Sequence, residues 1–63
     1  MQTSKFIYYQ EEEMWIGWLE EFPDYRTQGE TQEELEENLK EIHEELTSGK
    51  IPNVRRVGEL VVG

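Results

Sequence analysis

The sequence predicts an α+β fold in the order β-β-β-α-β, with one antiparallel-type sheet packed by a single helix. Three observations carry that prediction. A capped amphipathic run from Thr27 to Gly49 gives the helix, and two apolar runs separated by Glu11, Glu12 and Glu13 give a hairpin. Short segments on either side of the helix, Tyr25 to Gln28 and Val54 to Val62, supply a third and a last strand. The chain reads as one domain over residues 1–63, with no internal repeat or linker.

Met1 to Ser4 reads as a frayed end. Lys5 to Gln10 is rich in aromatic and branched residues and reads as a strand, with Phe6 and Tyr8 on one face and Ile7 and Tyr9 on the other. The three glutamates form its charged tip. Met14 to Leu19 returns as the second strand, with Trp15, Gly17 and Leu19 on one face and Met14, Ile16 and Trp18 on the other. A glycine inside a strand marks close approach of another backbone, so the helix is expected to cross the face bearing Trp15, Gly17 and Leu19. The opposite face, with Ile16 and Trp18, would then stay exposed as an oligomer interface, unless its side chains simply cover one another.

Glu20 to Asp24 is a loop in which Pro23 biases Phe22 towards an extended conformation. Tyr25 to Gln28 is a short third strand, and Gly29 supplies the turn into the helix. Thr31 and Glu34 form a capping box, with the Thr31 hydroxyl accepting a first-turn N–H and Glu34 reaching back to the Thr31 N–H. Leu35, Leu39, Ile42 and Leu46 make one narrow apolar stripe, and Gly49 followed by Pro52 ends the helix, expected from about Gln32 to Ser48. Lys50 to Asn53 is a connector. Val54 to Val62 reads as a last strand whose mixed pattern leaves its register open.

The formal charge is −9, from fifteen acidic and six basic residues. Fourteen of the acids lie between Glu11 and Glu45, where only Arg26 and Lys40 oppose them. Binding a polyphosphate requires cations to displace its counterions, so direct nucleic-acid binding is not expected. Such a field attracts a basic partner, although acidity also serves plain solubility. With no cysteine there are no disulfides or thiolate metal sites. No apolar run is long enough for a signal peptide or membrane span, so no membrane association and a cytoplasmic location are expected.

Candidate chemistry is sparse. His43 is the only histidine, sits at the edge of the helical stripe, and has no nucleophile at a recognisable spacing. Neither Glu11 to Glu13 nor Glu20, Glu21 and Asp24 follows a calcium-loop spacing, and the glycines do not form a phosphate loop. Arg55 and Arg56 are too few for a nucleic-acid contact and would pair with Glu59 or the helix carboxylates. No enzyme, no metal and no cofactor is expected. What is left is a binding module with an acidic surface and an aromatic sheet face.

The run from Trp15 to Ile42, WIGWLEEFPDYRTQGETQEELEENLKEI, resembles the amino-terminal domain of HicB-type antitoxins. The matching features are the strand positions Trp15, Gly17 and Leu19, the loop residue Pro23, T-Q-G-[DE]-T at Thr27 to Thr31, and E-E-x-x-E-N-[LI]-K-E at Glu33 to Glu41. Glu20, Asp24 and Leu35–Glu36 depart from the family pattern. The resemblance implies a partial ribonuclease-H-like fold without nuclease activity, in the antitoxin of a type II toxin-antitoxin pair. The implied partner is a small basic HicA-like toxin that cleaves messenger RNA, whose active site and RNA-binding surface the antitoxin covers. Many members carry a carboxy-terminal DNA-binding domain, for which this sequence is expected to have no room.

Charge and placement nominate Glu20, Glu21, Asp24, Glu33, Glu37 and Glu41 as the partner-facing set, with Trp18 and Tyr25 as aromatic anchors. Ile16 and Trp18 are the candidate homo-oligomer interface. The rival reading is a stand-alone, self-associating interaction protein without a toxin, and a more distant one is an acid-dependent hydrolase using Glu20 or Asp24.

Overall fold

The element order is β1 (Phe6–Glu11), β2 (Met14–Leu19), β3 (Arg26–Gly29) and α1 (Gln32–Thr47), in a computed structural model that describes residues 3–63. The expected fraying of Met1 to Ser4 falls partly on residues 1–2, outside the described residues. The three strands form one antiparallel sheet in the order β1-β2-β3, packed by the single helix, an α+β fold.

The strands follow from their alternation. Phe6 pairs with Leu19, Tyr8 with Gly17 and Gln10 with Trp15, while Trp15 pairs with Gly29 and Gly17 with Thr27. Directly paired residues share a face, so these side chains point to one side and Ile7, Tyr9, Ile16, Trp18, Arg26 and Gln28 to the other. A two-residue loop, Glu12–Glu13, closes the β1–β2 hairpin, and Glu12 has φ 59, in the left-handed region. The helix crosses the Trp15, Gly17 and Leu19 face as expected, and its backbone lies over β2 and β3 but not β1.

Two glycines set how closely the helix approaches. A Cβ on Gly17 would lie 2.8 Å from the Ile7 carbonyl oxygen and 3.2 Å from Leu35 Cδ2. At Gly29 it would meet the helix backbone itself, 2.7 Å from the Leu35 nitrogen. Gly29 is therefore not the turn residue expected from sequence. It is the buried last residue of β3, and its missing side chain is what lets α1 rest on the sheet.

The helix start follows its capping residues with one shift. Thr31 Oγ1 accepts the Glu34 N–H at 3.1 Å, while Glu34 Oε1 accepts the Glu30 N–H at 3.3 Å rather than that of Thr31. The helix ends at Thr47, with Ser48 as cap and Gly49 at φ 83. Its seam closes the core of Leu19, Phe22, Leu35, Leu39 and Leu46, with Phe6, Trp15, Tyr25, Ile42 and Val54 packed around it.

Phe22 is 1% exposed although sequence places it in a loop. The Phe22 N–H donates to the Leu19 carbonyl at 3.0 Å and the Tyr25 N–H to the Phe22 carbonyl at 3.1 Å. Two successive turns thus fold the loop back and drive the ring into the core.

The expected last strand does not form. Val54 packs on the core, Arg55 pairs with Asp24, Arg56 lies 5.8 Å from the Phe22 ring centre, and no strand pairing follows. The physical reason lies in the segment itself, whose apolar residues at 54, 57, 60, 61 and 62 follow no two-residue period and are interrupted by Gly58. Asn53 at φ 58 redirects the chain, and the two arginines then hold it across the β2–β3 loop.

Candidate functional site

The acidic residues nominated from sequence fall into two places. Glu33, Glu37 and Glu41 recur at four-residue spacing and, with Leu35 and Leu39 buried against the sheet, lie on the outer face of α1. Glu20, Glu21 and Asp24 lie on the β2–β3 loop and are exposed. The aromatic and interface candidates are elsewhere. Ile16 and Trp18 sit on the sheet face away from the helix, half-buried, and Tyr25 is half-buried against the core.

The helix stripe and Trp18 therefore point to opposite sides of the molecule, so one flat partner surface cannot engage both. Tyr25 is already committed, its ring edge-on to Phe22 at 6.4 Å. Trp18 is partly covered by its own neighbours, with Arg26 4.6 Å from its ring centre and Tyr9 edge-on at 6.3 Å. Around it Ile7 and Tyr9 are 44% and 42% exposed, so the open face keeps an apolar patch.

The outer face of α1 is strongly acidic. The helix carries seven glutamates against Lys40, and among the described residues the only ion pair within 4 Å is between Arg55 Nη1 and Asp24 Oδ2, at 3.0 Å. Arg55 and Arg56 thus pair with neither Glu59 nor the helix, as sequence suggested they would. The hydrogen bond to Asp24, with the charge of that carboxylate, raises the Arg55 pKa above its ordinary value. Glu33–Glu37, Glu37–Glu41 and Glu41–Glu45 are like-charge pairs at four-residue spacing, each destabilising by a few tenths of a kcal/mol. Glu44 and Glu45 also stand in a last turn without a basic residue, where the helix dipole disfavours anions.

Two features escape sequence reasoning. Asn38 Nδ2 donates to the Gln28 carbonyl at 2.9 Å, tying the helix to β3. A groove of about 690 Å³ runs between α1 and β1, lined by Phe6, Leu19, Leu39 and His43 and, along the helix, by carboxylates that include Glu37 and Glu41. His43 turns its ring edge-on to Phe22 at 6.4 Å, half-buried. Among the described residues no three side chains converge as metal ligands, and no helix is long and apolar enough to cross a membrane. Comparison with protein-family models, with curated proteins and with solved structures finds no match to this chain.

Proposed function

We propose that this chain is an inhibitory antitoxin whose outer helix face occupies the RNA-binding surface of a small basic, HicA-like ribonuclease. The observation that carries this reading is the row of carboxylates at Glu33, Glu37 and Glu41, which form no ion pair among the described residues. Each step along it rises about 6 Å, so the helix presents a regular line of single negative charges, as a nucleic-acid backbone does. Folding does not need them, because the seam that holds the helix is Leu35, Leu39 and Leu46, and the charges oppose one another. A surface that costs stability in isolation and is complementary to a cationic groove fits a binding role.

The resemblance of Trp15 to Ile42 to the HicB-type domain points the same way. Glu20 and Glu21 extend the acidic surface onto the β2–β3 loop, whereas Asp24 is held by Arg55. Trp18 and Tyr25 do not share the helix face, so the interaction is chiefly electrostatic.

The test is to look in the adjacent reading frame for a short basic polypeptide, whose absence would count against the reading, and to co-express any such polypeptide with this chain before titration calorimetry at low and high salt. Growth should be rescued, and affinity should fall as salt rises. Replacing Glu33, Glu37 and Glu41 together by Gln should weaken binding at least about tenfold and flatten the salt dependence. Affinity unchanged by the triple substitution would overturn the assignment of this face.

A further inference from the structure

We propose that residues 57–62 of one copy add as a strand to the free edge of β1 in a second copy, so that two chains exchange tails reciprocally. Two unsatisfied elements on the same molecule carry this. The first is β1, an edge strand with β2 on one side only, covered by no helix and exposed from Ile7 to Glu11. The Glu20 N–H donates to the Lys5 carbonyl at 2.9 Å, which makes Lys5 and Glu20 a hydrogen-bonded pair. By antiparallel alternation Ile7, Tyr9 and Glu11 also bond to β2, and the amides and carbonyls of Phe6, Tyr8 and Gln10 face the open edge.

The second is the tail. Leu60, Val61 and Val62 are 85%, 95% and 87% exposed, an apolar run with no partner in its own chain. Val57 and Glu59 line a shallow hollow with Thr3, Lys5 and Glu20 at the start of β1, yet the chain forms no strand there and Leu60 to Val62 run on exposed. The radius of gyration is 13.1 Å, against about 11 Å for a compact chain of this length. The tail therefore projects, and an edge left open by its own tail is available to another copy's.

Shape fits this occupant. A strand added at β1 would also wall the groove between α1 and β1, placing alternate side chains beside Phe6, Leu19 and Leu39. The contact is self-complementary, as a twofold dimer requires. It does not depend on the antitoxin reading.

The chain has no cysteine, so single thiols can be introduced cleanly. Full-length chains carrying Gln10→Cys and Val61→Cys are mixed and treated with a short bifunctional maleimide, alongside a chain carrying both. We expect a covalent heterodimer in the mixture, with a yield that rises with concentration. Val61→Pro, at an exposed position, should weaken self-association at least about tenfold in sedimentation equilibrium while the helix signal is kept. Cross-linking only within the doubly substituted chain would assign the edge to the chain's own tail and overturn the proposal. So would a chain that stays monomeric at all concentrations, or a dimer indifferent to Val61→Pro.

Discussion

β1 and β2 are close in composition and opposite in fate. FIYYQE and MWIGWL are both rich in aromatic and branched residues, yet β1 is exposed along nearly its whole length while β2 is half-buried or buried throughout. β2 has a strand on each side and the helix above it, and β1 has one neighbour and no helix. A helix about 10 Å across covers roughly two strands spaced about 4.8 Å apart, so a third strand is left outside its shadow. Burial here is decided by position under a narrow-seamed helix, and hydrophobicity alone does not bring a strand into the core.

Truncation on the two sides gives the largest contrast. Leu35 is fully buried between β2, β3 and the helix, and Leu35→Ala should cost about 3 kcal/mol. That is much of the roughly 3–9 kcal/mol expected for a chain of this size. Ile7→Ala on β1 should cost under about 1 kcal/mol, because the side chain is already nearly half in water. Urea denaturation of a dilute sample reads both. Equal losses would mean that β1 is covered after all, and a loss for Ile7→Ala that grows with protein concentration would identify another copy as the cover.

The glycines sharpen the comparison at smaller scale. A methyl group at Gly29 collides with the helix backbone, which is rigid and carries the core seam, so Gly29→Ala should destabilise by about 2 kcal/mol. At Gly17 the nearest atom is the Ile7 carbonyl oxygen on β1, whose outer side is free to shift. Gly17→Ala should therefore cost nearer 1 kcal/mol, with the change concentrated in the amide exchange of β1. Exchange that changes equally in β1 and β3 would contradict this difference in rigidity.

The same geometry explains what the sequence could and could not reveal. The helix start, its seam and the face it crosses are written in short-range spacing, from Thr31 and Glu34 to Leu46, and the structure follows them within a residue or two. The outer carboxylate row follows from the same period. Phe22 was illegible because it stands between two glutamates and Pro23 with no alternation, and only the turns around it aim it inwards. The pairing of Arg55 with Asp24 joins positions 31 residues apart and depends on the route of the tail, which no local pattern encodes. The separation of Trp18 from Glu37 was legible too, since Gly17 puts the helix on the Trp15 and Leu19 face and leaves Trp18 on the other.

The smallest effect concerns the turn that holds β1 to β2. Glu12 at φ 59 occupies a conformation that costs an L-residue about 1 kcal/mol, while a glycine there would give back about half of that through its greater unfolded-state freedom. Glu12→Gly should thus stabilise by about 0.5 kcal/mol, a rise of roughly 3 °C in Tm. Because β1 beyond Phe6 is anchored chiefly through its pairing with β2, the gain should appear first as slower amide exchange at Tyr9 and Glu11, with α1 little changed. A uniform gain across helix and sheet would show that β1 opens only with the whole molecule. The two sides of the sheet would then form one cooperative unit despite their unequal burial.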